Sequence, residues 1–350
     1  MRHESVGLTD ELIQHAKRAG LDLLGCTSST PFPRGYEWQE LDPRRILADA
    51  RTVVVAACHV YGFEAPEASR PGAPRGRFGP WTRASLAAAA YGEAAITEYL
   101  RNRGYKAASA RDLPLKSAAV RSGIASYGKN SIVHADGFGS YLKLSGVVTD
   151  AELVCVDRPV ESSDCGDCTA CVEACPTGAL ETRYRLAVDR CICQWLWGNP
   201  IAREDREKVG NHIFRCGFCQ DACPKNGGLS PRTQFPFSLE ERSDSPELIP
   251  LILGDEAYYR ASLPAFTLQA GVDTLRRNVI IAAANSGDAS AIPYLAEALS
   301  LPHAETRAAA AWALARLGGR AVRKALTERL AKEKEQTVRD DIEAALREIA

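Results

Sequence analysis

The sequence predicts a multidomain α+β protein, and three observations predict it. Residues 1–150 alternate helical and strand-like patterns, residues 151–232 hold most of the cysteines, and residues 250–350 are Ala-, Leu- and Arg-rich helical repeats without cysteine. At 350 residues the chain can bury the cores of two or three domains. Its 45% hydrophobic and 25% charged content is ordinary for a globular protein. A net charge of −1 excludes any whole-molecule attraction to nucleic acid or membrane, so such a partner must meet a local patch.

In the N-terminal third, Thr9-Asp10-Glu11 opens a helix with Leu12, Ile13, Ala16 and Ala19 on one face, closed by Gly20. Residues 21–26 read as a strand. Asp42 is placed to cap a short helix at 42–49 with Pro43 at its first position. Residues 51–58 form a nearly continuous apolar run, as in a strand buried on both faces. Cys26 and Cys58 lie in these apolar strands as small buried residues. The Pro-, Gly- and Arg-rich stretch 63–80 reads as a long loop, in which Arg70, Arg75 and Arg77 either stay solvated or receive an anion. A long Ala-rich helix at 83–103 ends at Gly104, followed by a strand at 105–109, a helix at 117–122, and strands at 131–134 and 141–149. Between the last elements, Gly128-Lys129-Asn130 is a tight turn offering backbone N–H groups and one cation. It is not a Walker A loop, because the G-x4-G-K-[S/T] frame is absent.

The most specific signal is Cys165-Gly-Asp-Cys168-Thr-Ala-Cys171-Val-Glu-Ala-Cys175-Pro176, followed by Cys191, Cys193 and Cys216-Gly-Phe-Cys219-Gln-Asp-Ala-Cys223-Pro224. In C-x2-C-x2-C-x3-C-P, three thiolates wrap one iron–sulfur cubane and the fourth points to a second one. That reading assigns Cys165, Cys168, Cys171 and Cys223 to one [4Fe–4S] cluster and Cys175, Cys191, Cys216 and Cys219 to the other, with Cys193 as the alternative to Cys191. A zinc ribbon also uses paired C-x2-C knuckles, but needs neither the third cysteine nor the two trailing prolines. Trp195 and Trp197, between the halves, either shield a cluster or pack in a core.

From about residue 250, Arg276, Arg307 and Arg339 open similar segments, the first two with a helix, a turn at Gly287-Asp288 or Gly318-Gly319 and a second helix, the pattern of a HEAT-like solenoid. Arg316, Arg320, Arg323, Lys324 and Arg329 gather charge that serves either a solvated helix face or nucleic-acid contact. Nine of the twelve cysteines fall between Cys165 and Cys223, a clustering that disulfides of a secreted domain would not give. No signal peptide or run of roughly 20 apolar residues is seen, so a cytoplasmic location is expected.

In order along the chain, G-K-N at 128–130, G-S at 139–140, C-x2-C-x2-C-x3-C-P-T-G, D-x-C and C-x2-C-Q-x2-C-P ending at Cys223-Pro224-Lys225-Asn226 resemble the epoxyqueuosine reductase family. The resemblance runs over most of the chain and is strongest from Asp112 to Asn226. It implies an N-terminal α/β domain that binds cobalamin, a ferredoxin-like module with two [4Fe–4S] clusters, and HEAT-like repeats. It further implies reduction of the epoxide of a tRNA wobble nucleoside, electrons entering from a ferredoxin- or flavodoxin-type donor. Asp112 would be the acid, and Gly128, Lys129, Asn130, Gly139, Ser140 and Cys193 would line the corrinoid. Three features depart from the family pattern. The family's Asp-x-x-Pro stretch is followed by Glu-Arg, whereas Asp112 stands two residues before Pro114 with Lys116-Ser117 after it. The Tyr-x-x-Gly-x-Asp-Tyr-His stretch is replaced by residues 76–82, and the serine after the Cys-Ile pair is Cys193. These changes point to a paralogue with another substrate. An electron-transfer protein without its own substrate, a reductive-dehalogenase-like enzyme and a partner-docking scaffold are the other readings.

Overall fold

The computed structural model describes residues 2–33, 39–61, 68–79, 82–160, 164–180, 184–239, 242–243 and 245–349. Pro80 and Trp81 of the 76–82 stretch, and 62–67 of the long loop, lie outside the described residues. The chain starts with helix α1 (Arg2–Arg18), strand β1 (Leu23–Ser28), strand β2 (Thr52–His59), the short β3 (Arg77–Phe78) and helix α2 (Thr82–Arg101). Then come β4 (Ala107–Ser109), α3 (Leu115–Arg121), β5 (Ser126–Tyr127), β6 (Val133–His134) and β7 (Leu142–Thr149).

The helix expected from Thr9 begins seven residues earlier, because Thr9 Oγ1 donates to Ser5 O within the helix instead of capping it. Asp42 does cap, accepting from Arg44 N, over a three-residue helical turn at Pro43–Arg45. The strand expected at 131–134 shrinks to β6, since Ser131 takes a left-handed φ of 61° in the turn of the β5–β6 hairpin.

Strands β1, β2, β7 and β4 form one sheet in the order β1-β2-β7-β4, antiparallel throughout. All of β2 is buried, as its unbroken apolar run requires. Alternate residues divide the two faces. Val54, Ala56, Cys58 and Val147 meet Leu12, Ala16, Ala88 and Ile96 of α1 and α2. Val53, Val55 and Val148 meet Ala118, Ala119 and Val120 of α3.

The cysteine-rich segment has little regular structure: α4 (Ala170–Glu173), α5 (Ile192–Trp197), β8 (His212–Phe214) and α6 (Phe218–Asp221). Strand β8 pairs in parallel with β3, tying this segment to the N-terminal part. The chain then returns to the first sheet, where Arg232 N donates to Tyr61 O and Arg232 pairs with Asp22 at 2.6 Å.

Helices α7 (Ile249–Leu253), α8 (Glu256–Ser262), α9 (Val272–Asn285), α10 (Ile292–Ala298), α11 (Ala304–Leu317), α12 (Arg320–Leu330) and α13 (Gln336–Glu348) complete the chain. Their core is continuous with the cysteine-rich segment through Trp195, Leu196, Phe214, Leu251, Ile280 and Leu314. Asn278 Nδ2 fastens the join by donating to Leu196 O at 2.9 Å and Ile213 O at 3.0 Å. The repeat arginines hold the ends of neighbouring helices. Arg276 donates to Gly254 O, Arg307 to Leu301 O and Pro302 O, and Arg339 to Leu330 O and Glu333 O. Arg307 also pairs with buried Glu333 at 2.8 Å. Among the described residues no helix is long and apolar enough to cross a membrane.

Candidate cluster and cofactor site

The structure brings Cys165, Cys168, Cys171 and Cys223 around one cavity of about 60 Å³. Cys165 and Cys168 lie on the loop that leads to α4, Cys171 is in α4, and Cys223 follows α6. Cys168 is exposed, Cys171 buried, and the other two half-buried. Gly128, Lys129, Asn130 and Ser140 line the same cavity, so these residues of the N-terminal part border the outer cysteines.

The side chains of Lys129, Asn130 and Ser140 hydrogen-bond to the cysteine segment. Lys129 is 1% exposed, and its Nζ donates to Gly166 O at 2.5 Å and Cys168 O at 2.8 Å. An ammonium this deeply buried is tolerable because two carbonyls hold it beside four groups that carry negative charge as thiolates. Asn130 accepts from Ile132 N and donates to Cys219 O. Ser140 N donates to Asn226 Oδ1 at 2.7 Å, and Asn226 Nδ2 and Gln220 Nε2 donate to Ser140 Oγ. Gly139 is required there: at φ +57° a Cβ would collide with Asn226 Oδ1 and come 2.9 Å from Lys225 O. Sequence reasoning missed Gln220 and Asn226 as clamps. The only signal for them was their place inside the second cysteine motif.

Cys175, Cys191, Cys216 and Cys219 form the inner group. Burial pushes the Cys216 thiol up to about 12 and Cys191 up to about 11, with neighbouring cysteines adding to both. Burial also raises Cys219, with further contributions from Cys216, Cys191, Cys171 and Cys175. Thiols so placed ionise only against a bound positive charge, which a metal centre supplies. Cys191 is influenced by Cys193 and Cys175, and Cys216 by both Cys193 and Cys191, so Cys191 and Cys193 both stand beside this group. His134, Asp164 and Cys165 also offer ligand atoms within 4.8 Å of one another, sharing Cys165 with the outer group.

Asp112 is exposed on the turn between β4 and α3, where its carbonyl accepts from Glu40 N, and it does not line the cysteine cavity. Trp195 and Trp197 pack: Trp195 Nε1 donates to Asp189 O, and the Trp197 ring lies 5.2 Å from Phe214. Arg75 and Arg77 are paired with Glu247 and Asp221 at 3.3 and 3.1 Å. In the basic group of the repeats, Arg316 pairs with Glu207, Arg323 donates to Ile349 O, Lys324 lies 3.8 Å from Glu328 and Arg329 bonds Glu333. The Arg320 side chain lies outside the described residues. Local pairing thus takes up much of the charge that the sequence offered to nucleic acid.

Residues 164–226 match the family described as a 4Fe-4S double cluster binding domain, and residues 267–347 match HEAT repeats. The epoxyqueuosine reductase of Bacillus anthracis is 28% identical, covering 98% of this chain and 98% of its own. An epoxyqueuosine reductase crystallised with an epoxyqueuosine-modified tRNA stem loop is 26% identical, with a TM-score of 0.87 over 98% of this chain and 99% of the other. The Bacillus subtilis epoxyqueuosine reductase with its catalytic loop swung out of the active site has a TM-score of 0.88 at 26% identity, over 98% and 99% of the two chains.

Proposed function

We propose that this chain, a homologue of the epoxyqueuosine reductases along nearly its whole length, is a corrinoid-dependent reductase with two [4Fe–4S] clusters that acts on epoxyqueuosine in tRNA or on an analogous substrate. The observation that carries this reading is the gathering of eight cysteines into two adjoining groups against the N-terminal sheet domain. We divide the chain into a corrinoid-binding part at 1–150, a two-cluster module at 151–232 and a repeat region at 250–350. Cys165, Cys168, Cys171 and Cys223 would hold the outer cluster, and Cys175, Cys191, Cys216 and Cys219 the inner one.

The clusters supply one-electron carriers and the corrinoid a strongly reducing metal centre. The protein's own residues supply position and protection. Lys129 holds the outer loop through two carbonyls, and the Ser140–Gln220–Asn226 clamp fixes the second motif against the first domain. With the side chains of Lys129, Asn130 and Ser140 so engaged, they and Gly128 and Gly139 would border a corrinoid through backbone groups, and Cys193 would complete its lining. Exposed Cys168 offers a ferredoxin- or flavodoxin-type donor access to the outer group. Asp112 is our proposed proton donor, and tRNA, the ligand of one relative, is the proposed macromolecular partner in the cytoplasm.

Anaerobic reconstitution followed by a visible spectrum with hydroxocobalamin tests the reading. Retention of the corrinoid and reductant-dependent conversion of epoxyqueuosine tRNA are expected; a protein that keeps its clusters but retains no corrinoid overturns it. The exposure of Asp112 favours a second reading, an electron carrier without its own substrate. Turnover that survives unchanged in Asp112→Ala would remove Asp112 from the mechanism.

A further inference from the structure

Lys129 stands in the turn between β5 and β6, where Gly128 N donates to Ile132 O at 2.7 Å and Asn130 Oδ1 accepts from Ile132 N. A Cβ at position 128 would come 2.6 Å from that Asn130 oxygen, so glycine is what lets the turn close tightly. From this fixed base the Lys129 side chain enters the cysteine-rich segment, and only 1% of the residue stays exposed. An ammonium has three N–H donors. Two of them are taken by Gly166 O at 2.5 Å and Cys168 O at 2.8 Å, on the loop that carries Cys165 and Cys168. Among the described residues no third acceptor and no carboxylate meets the ammonium. A buried cation with one donor and its whole charge left over is costly unless an anionic acceptor joins it.

The cavity of about 60 Å³ beside it is built for such an acceptor. Lys129 lines it together with Cys165, Cys168, Cys171 and Cys223. The other charges on that wall are taken up locally, since Asp164 Oδ2 lies 2.6 Å from Lys225 Nζ and Asp164 Oδ1 lies 3.0 Å from His134 Nε2. Lys129 is the cation that remains for the four sulfurs. A cluster on four thiolates is net negative, and its charge, its solvent exposure and the hydrogen bonds to its sulfurs set its reduction potential.

We infer that Lys129 tunes the outer cluster: its third N–H donates to a cluster sulfur, and its charge raises the cluster's reduction potential. Reduction brings one electron from the external donor; no bond breaks and no proton leaves Lys129. The product is one unit more negative than the starting state, so a buried cation favours it. The end of the wire that meets a donor at exposed Cys168 is thereby easier to reduce than four thiolates alone would make it. This role rests on the cluster reading and adds to the tethering of the loop a function that tethering does not provide.

The test is a redox titration followed by electron paramagnetic resonance on the anaerobically reconstituted full-length chain, for the wild type, Lys129→Met and Lys129→Arg. In Lys129→Met one of the two one-electron steps is expected to fall by at least about tenfold in its equilibrium constant, about 59 mV per factor of ten. The other step stays in place, and Lys129→Arg, which keeps the charge, stays close to the wild type. The direction separates tuning from tethering: a loop that merely loosens admits water, which favours the more highly charged reduced cluster and moves the step upward. An unmoved step, an upward move or an equal fall of both steps overturns the inference. Iron and sulfide content are measured on every sample, and a wild type that lacks two clusters sinks the cluster reading itself. Should Lys129→Met lose its outer cluster, Lys129→Gln, which offers the carbonyls a neutral donor, takes its place, and an unmoved potential there overturns the inference equally. A second measurement needs no neutral variant. In reduced wild type grown with ¹⁵N-lysine, pulsed resonance should detect one lysine nitrogen coupled to a cluster, and Lys129→Arg should lose it; no coupling in the wild type overturns the bond to sulfur.

Discussion

The outer and inner cysteine groups each combine a C-x2-C pair with a cysteine from the other run, and they sit in opposite surroundings. Around the outer group the neighbours are polar: Lys129, Asn130, His134, Asp164 and Lys225 border the cavity, and Cys168 reaches solvent. Around the inner group the neighbours are aromatic and aliphatic, with Ile192, Trp195 and Phe214 in the core shared with the repeats. Burial dominates the thiols there, raising Cys191, Cys216 and Cys219 alike. The difference teaches that a shared C-x2-C pair does not specify an environment. Solvent exposure and hydrogen bonds to sulfur set the properties of a cluster, and these come from the flanking domains.

The largest effect expected from probing this contrast is on the inner ligand set. Cys191→Ala is expected to lose one cluster's worth of iron, while Cys193→Ala keeps both, as iron and sulfide analysis will report. Equal loss in both variants would break the assignment. Next is Glu333→Gln, remote from both groups. It removes one charge of a buried pair with Arg307, an expected cost of about 3–5 kcal/mol in unfolding free energy. Because the repeats share their core with the inner group, that variant should release inner iron before outer iron on denaturant titration. Lys129→Met acts on the other side: it leaves Gly166 O and Cys168 O without their donor, costs about 1–3 kcal/mol, and speeds chelator removal of the outer iron selectively.

The smallest effect concerns pH. The folded Lys143 ammonium titrates near 8, below its unfolded value of 10.5, so between these values the unfolded chain binds more protons. That contribution to stability therefore rises with pH from about 8 to 10.5, and is lost as pH falls through the same window. Subtracting the Lys143→Met curve from the wild-type curve should isolate it.

Much of the fold was legible because local patterns are strong where burial is uniform. The unbroken apolar run of β2 predicts a central strand, and it is buried from Thr52 to His59. The turns at Gly287 and Gly318 separate the helices of the repeats, as their positive φ angles allow. Reading failed where a polar side chain had a choice of partner. Thr9 looks like a cap and bonds inside its helix, and Lys129 looks like an anion-binding cation and bonds carbonyls of the cysteine loop. Asp112 sits beside the expected proline and is nevertheless exposed.

By itself the sequence determined the chemistry of the centre, because C-x2-C-x2-C spacing is a local constraint that lets a short loop present three thiolates, the fourth coming from the other run. It also determined the order of the three regions, since periodicity and composition change along the chain. Only the tertiary structure decided which polar residues clamp the module, as Ser140, Gln220 and Asn226 do, and how the repeats join the cysteine-rich segment through Asn278. Those outcomes depend on which surfaces pack together, and a hydrogen bond or a charge pair between distant segments leaves no periodic trace in the sequence.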